Sequence, residues 1–188
     1  VAGPPGPAPR TRLSKLVSQA LFLCYTNKNA QDPLRPPGMK IAVFDIGTNS
    51  IHMKLIQIHE NLTFEVLDHQ KDATRIGEGS FKRKKLTRPA MRRALKVLSL
   101  FARIARKEGA TRMIAIATSA VRDAKNSDAF VRALYKKTRI RARVISGEEE
   151  GRLIYLGACS NANGEKRPLL AIDVGGGSAE FIVANRRR

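Results

Sequence analysis

The chain has 188 residues, 43% hydrophobic and 27% charged with no Trp, which is enough for one ordinary globular domain with a proper core. Thirty-five Lys and Arg against sixteen Asp and Glu give a net charge of +19 and a pI near 10.8. Such a field attracts polyanions (nucleic acid, acidic lipid or polymeric phosphate), though charge alone favours a solvated basic surface. No stretch approaches the roughly 18–20 apolar residues of a membrane span. The two cysteines, Cys24 and Cys159, are far apart, with no CxxC and no His beside them. That pattern disfavours a metal or redox centre and suits thiols in a reducing, cytoplasmic compartment.

Residues 1–38 differ from the rest. "VAGPPGPAPR" is a Pro/Gly-rich extended tail, and "RLSKLVSQALFLCYT" (12–26) suits one amphipathic helix that "DPLRPPG" ends. No acidic residue precedes Asp32, as in transit peptides, and "LVSQALFLCY" has the look of a secretory core, but Ser and Gln interrupt it and no A-x-A site follows. The expectation is a dispensable, disordered extension, with a compact bacterial-type enzyme beginning at Met39.

From Lys40 the pattern is regular. "KIAVFDIG" is a mostly apolar strand, "SIHMKLIQIHE" alternates with period two, and "LTFEVLDHQ" is a third strand, together an antiparallel meander. "RIGEGSFKRKK" is a glycine-bearing basic loop. A helix follows, capped by Thr87 with Pro89 in its first turn and stopped by Gly109. Its apolar face is expected to run through Met91, Leu95, Leu98, Phe101 or Ala102, and Ala105. "RMIAIAT" is a buried strand, "SDAFVRALYKK" a helix started by Ser127, "RARVIS" a strand and "EEEGRLIYLGACS" a helix opening on acidic residues. "NANGEKR" is a turn before the strands "PLLAIDVG" and "AEFIVAN". Strands followed by alternating helices and strands indicate an α/β domain.

Two segments repeat one pattern. "AVFDIGTNS" (42–50) and "LAIDVGGGS" (170–178) both read apolar strand, Asp, branched residue, Gly, two residues, Ser. A Gly turn lets backbone N–H groups approach phosphate oxygens, and Thr, Asn or Ser adds donors. The Asp at the strand end supplies a hard oxygen for Mg²⁺ bound to the same phosphates. One such loop is usually an ordinary hairpin turn. Two suggest related half-domains facing across a cleft.

The paired D-[IV]-G loops resemble the phosphate motifs of the actin-like superfamily, which includes sugar kinases, chaperones and actin. "ATSAVRDAKN" (117–126), "VISGEEEGRLIYLGA" (144–158) and "RIGEG" (75–79) look like signatures of the exopolyphosphatase/guanosine pentaphosphate phosphatase family within it, over Met39 to about Asn185. The resemblance implies a ribonuclease H-like α/β half-domain over 39–165, with 166–188 opening a second, truncated half-domain. It implies Mg²⁺-dependent hydrolysis of terminal phosphate from polyphosphate or guanosine pentaphosphate, without specific nucleic acid or membrane partners, and a homodimer in the full-length enzyme. It makes Glu150 the base that activates water and sets Arg122 facing the phosphates. It associates Asp45, Asp173 and Glu180 with the cation. Gly47, Thr48, Asn49, Ser50, Gly175, Gly176, Gly177 and Ser178 would cradle phosphate. Glu148 and Glu149 are expected to raise the Glu150 pKa by like-charge repulsion. Arg75, Gly77 and Gly79 are weaker candidates for substrate contact, and His52 reads as a satisfied histidine rather than a ligand. The basic runs "FKRKK" and "RPAMRR" suit either guidance of a polyanion or solvated faces.

The departure from the family is at the end: the chain stops ten residues after the second loop, so weak or no turnover is expected. The hairpin around it would expose Leu170, Ile172, Phe181 and Val183. A non-catalytic polyphosphate- or nucleotide-binding module is the competing expectation. A kinase or ATPase is disfavoured by "SGEEEGRL".

Overall fold

The computed structural model describes residues 38–59, 63–80, 82–161 and 169–184. The expected N-terminal tail and amphipathic helix, and the "NANGEKR" turn after its first residue, lie outside these residues. Strands β1 (Lys40–Ile46), β2 (Ile51–Ile58) and β3 (Phe64–Asp72) form the antiparallel meander read from the sequence. Helix α1 (Arg88–Lys107) leads to β4 (Arg112–Ala117), short α2 (Ser119–Arg122), α3 (Ser127–Thr138), β5 (Ala142–Val144) and α4 (Gly147–Asn161). The five strands make one sheet in the order β3-β2-β1-β4-β5, with β4 parallel to both β1 and β5. Strands β6 (Leu169–Val174) and β7 (Ala179–Ala184) form a separate antiparallel pair.

The local chemistry sets the element ends. The Thr87 hydroxyl accepts from the Ala90 amide at the start of α1, and Gly109, at φ +84°, turns the chain out of its end. Helix α3 does begin at Ser127, but Asn126 is its N-cap. The Asn126 amide is engaged with the Leu86 backbone on both sides, accepting its N–H at 2.8 Å and donating to its carbonyl at 3.0 Å. It thereby ties the loop before α1 to the start of α3. The buried stripe of α1 is Ala90, Ala94, Leu98, Phe101, Ala102 and Ala105; Met91 and Leu95 pack at its edge. The stripe is rotated from the expected one because small alanines let the helix lie close on the sheet.

The central sheet is covered on both faces. Phe44, Ile46, Met53 and Leu55 pack under α1 and α3 with Phe101, Phe130 and Leu134. On the other face Ile41, Val43, Ile56 and Ile116 pack with Leu153 and Ile154 of α4 and with Ile182 of β7. Strand β2 is therefore buried almost throughout rather than half-buried with period two. Even His52 and Lys54 lie inside on it. An alternating strand reads as one-sided only when nothing covers its polar face; here α4 packs on that face.

The β6–β7 hairpin buries one face only. Ile182 touches α4, and a Cβ placed on Gly151 would lie in ordinary contact with it at 3.6 Å. The opposite face leaves Leu170, Ile172, Phe181 and Val183, as the sequence suggested, and also Val174 at 50–80% exposure. No helix among the described residues is long and apolar enough to cross a membrane.

Candidate active site

Parallel strands β1, β4 and β5 end on the same side of the sheet, where open α/β sheets gather functional groups. Asp45 stands near the end of β1, Thr118 and Ser119 follow β4, and Glu150 lies in the first turn of α4 after β5. The Thr118 amide donates to Ile46 and the Ile145 amide to Ala117, so the three strand ends are joined by backbone bonds. The β6–β7 hairpin brings Asp173 and its glycine loop to the same place. The result is a cleft of about 300 Å³ walled by both D-x-G loops, Thr118, Ser119 and Glu150.

The loops share one geometry. The Gly47 amide donates to the Ser50 carbonyl at 3.0 Å, and the Gly175 amide to the Ser178 carbonyl at 2.9 Å. In the first hairpin Asp45 is the cross-strand partner of His52; in the second Asp173 is the partner of Glu180. The loops also touch: a Cβ on Gly176 would overlap the Asn49 amide, which would have to move aside. Of the residues expected to cradle phosphate, Gly47, Thr48, Asn49, Ser50, Gly175, Gly176 and Ser178 line the cleft; Gly177 is exposed beside it. The Thr48 hydroxyl is shared with that of Ser119 at 2.7 Å, in the interior. Arg75, Gly77 and Gly79 are not in the wall. Arg75 and Gly77 buttress it: the Arg75 amide donates to Asn49, the Gly77 amide donates to Thr48, and a side chain on Gly77 would run into Thr48 and Ala120.

Glu150 is 9% exposed. Its Oε2 accepts from Arg122 Nη1 at 2.8 Å, and the same nitrogen donates to the Ile145 carbonyl at 3.3 Å. Arg122 thus stands behind the carboxylate rather than in the cleft wall, and its Nε also lies 3.5 Å from Asp123. Burial, with help from the Glu180 charge, raises the Glu150 pKa, while Arg122 and Thr118 pull against the rise. Glu148 and Glu149 do not cause it, contrary to expectation. Glu149 points to Arg152 and Arg143, at 3.0 and 3.1 Å, and is held low by them.

Burial, then the charge of Glu150, pushes Asp45 up to about 7 despite the opposing Lys54. Asp173 is pushed up to about 6 by burial, Glu180 and Glu150. Glu180 itself lines a neighbouring cavity with Glu148, Gly151 and Arg152, and reaches the cleft through its charge. Among the described residues no three His, Cys, Asp or Glu side chains stand close enough to chelate an ion alone. The donor set fits Mg²⁺ in its usual manner, held by one or two carboxylates and completed by water and phosphate oxygens. The mutual repulsion of these carboxylates is what a divalent cation relieves.

Sequence reasoning passed over Thr118 and Ser119, although both lie inside the quoted "ATSAVRDAKN", and assigned His52 no place in the cleft. His52 is satisfied, as expected, by Ser50 and His69, but it also lines the cleft. A cross-strand partner such as His69 leaves no mark in local spacing.

A sequence model of the Ppx/GppA phosphatase family matches residues 55–188. Exopolyphosphatase 1 of Mycobacterium tuberculosis is 30% identical over 142 residues, 76% of this chain and 41% of that protein. The crystal structure of an exopolyphosphatase from Cytophaga hutchinsonii superposes with a TM-score of 0.75 at 34% identity, covering 80% of this chain and 48% of that one. The Aquifex aeolicus Ppx/GppA family member gives a TM-score of 0.69 at 26% identity, covering 79% and 48%. The chain spans about half the length of these relatives. Its mixed five-stranded sheet is the actin-like fold of those neighbours, and the chain belongs to the Ppx/GppA phosphatase family.

Proposed function

We propose that the cleft hydrolyses the terminal phosphoanhydride of inorganic polyphosphate, or the equivalent bond of guanosine pentaphosphate, with Mg²⁺ as cofactor. The observation that carries this is the meeting of Glu150 with two D-x-G loops around one cleft. The loop amides and the Asn49, Ser50 and Ser178 side chains hold the terminal phosphoryl group. Glu150 orients a water and takes its proton as the water oxygen bonds to phosphorus; the bridging oxygen departs with the shortened chain. Arg122 fixes the Glu150 carboxylate and keeps it ionised against its burial. Asp45 and Asp173 hold the Mg²⁺, with Glu180 adding negative charge nearby. When bound, the cation neutralises charge on the phosphoryl oxygens. The +19 chain draws in such polyanions from a distance, most strongly at low salt.

Orthophosphate release from polyphosphate and from guanosine pentaphosphate, measured side by side, tests this. Release that needs Mg²⁺ and falls about 10²- to 10⁴-fold in Glu150→Gln supports it. Release unchanged by Glu150→Gln would remove the assigned base. Tight, salt-sensitive polyphosphate binding without release, unaffected by Glu150→Gln, would favour a binding module instead.

A further inference from the structure

The first phosphate loop is backed by two histidines that the proposed hydrolysis does not use. His52 Nε2 lies 2.9 Å from Ser50 Oγ, and His52 Nδ1 lies 3.1 Å from His69 Nε2. The rings are nearly parallel, 13° apart with centroids 5.4 Å apart. His69 comes from β3, where it pairs with Lys54 while His52 pairs with Lys71, so the imidazoles are diagonal neighbours on one face. Burial disfavours protonation of both rings, and so do the Lys54 and Lys71 charges; His52 is held down near 4. Each ring therefore has one N–H and one bare nitrogen near neutral pH.

A serine hydroxyl has one proton. If Ser50 donates it to His52, only lone pairs face the cleft, and an anionic phosphate is repelled. If His69 Nε2–H donates to His52 Nδ1, and His52 Nε2–H donates to Ser50 Oγ, the Ser50 proton is free for a phosphate oxygen. The second direction ends in a charge-assisted hydrogen bond, and each donor in the chain strengthens the next. We propose that His52 and His69 are positioning residues that fix this direction, making Ser50 a phosphate donor. The proposal rests on the reading of the cleft as a phosphate site. It gives a role to a buried histidine whose two nitrogens are both committed.

The test uses the whole chain, labelled with ¹⁵N-histidine, and two-bond ¹H–¹⁵N correlation during titration with tripolyphosphate and Mg²⁺. With tripolyphosphate bound, His52 is expected to be protonated at Nε2 and bare at Nδ1, with His69 protonated at Nε2. His69→Phe keeps a ring but removes the donor, and should weaken tripolyphosphate binding about threefold, against about tenfold for Ser50→Ala. His69→Gln, whose amide can replace the N–H, should recover most of the loss. In a Ser50→Ala background the His69→Phe effect should vanish. A His52 proton on Nδ1 in the bound state, or an undiminished His69→Phe effect without Ser50, would overturn the positioning role alone. Failure of the unsubstituted chain to bind tripolyphosphate would overturn the phosphate-site reading and this role with it.

Discussion

The two D-x-G hairpins are near-copies in sequence and in turn geometry, yet they lie in opposite surroundings. In the first, Phe44, Ile46 and Ile51 are fully buried, because β1 is the middle strand of five and helices cover both faces. In the second, Ile172, Val174 and Phe181 are 50%, 76% and 71% exposed, because the hairpin has a helix on one face and nothing described on the other. The motif dictates the turn and the position of the Asp. Tertiary neighbours dictate what the strand side chains contribute to stability.

This difference should appear first in stability. Phe44→Ala is expected to cost about 3–5 kcal/mol, while Phe181→Ala should stay within about 0.5 kcal/mol, by denaturant unfolding of each variant. Equal losses would mean that the second hairpin is buried in solution.

A smaller effect separates the loops themselves. Gly176→Ala pushes against Asn49, an exposed side chain that can move, so folding should change little. Binding should not be spared: tripolyphosphate affinity is expected to fall about tenfold, roughly 1.4 kcal/mol, once the loops are wedged apart. Calorimetric titration checks this. A Gly176→Ala chain that binds normally would break the idea of touching loops.

The smallest expected effect concerns the residues opposite each Asp: a base, His52, in the first hairpin and an acid, Glu180, in the second. His52 is held near 4 in the folded chain, below the ordinary 6.5. Between these values the unfolded chain takes up a proton that the folded one refuses. Its contribution is therefore fully present above pH 6.5 and is lost as pH falls toward 4. Asp45 and Asp173, raised in the fold, act in the opposite sense, so only a difference isolates the histidine. Relative to His52→Gln, the unsubstituted chain should lose on the order of 1 kcal/mol on going from pH 7 to pH 4.5. Melting curves that shift in parallel would contradict this.

Much of this was legible in the sequence where the cause is local. Thr87, Pro89 and Gly109 mark the ends of α1 because caps act within a turn. The paired loops and both aspartates could be placed because their spacing repeats, and Glu150 because "SGEEEGR" resembles a family signature. What failed was non-local. The period-two alternation of β2 did not show that α4 packs on its second face and buries it almost throughout. The acidic run suggested that Glu148 and Glu149 tune Glu150, but a helix points successive side chains in different directions, and the charge that matters comes from Glu180 on β7. Gly77 looked like a substrate contact and proved to be the floor on which Thr48 rests.

The central claim is that the two loops act as one phosphate site. It is tested most directly by following backbone amides of the ¹⁵N-labelled chain as tripolyphosphate and Mg²⁺ are added. Gly47, Thr48, Asn49, Gly175 and Gly176 are expected to shift together along a single binding curve. Shifts confined to one loop, or to the basic segment around Lys84 and Lys85, would contradict the claim.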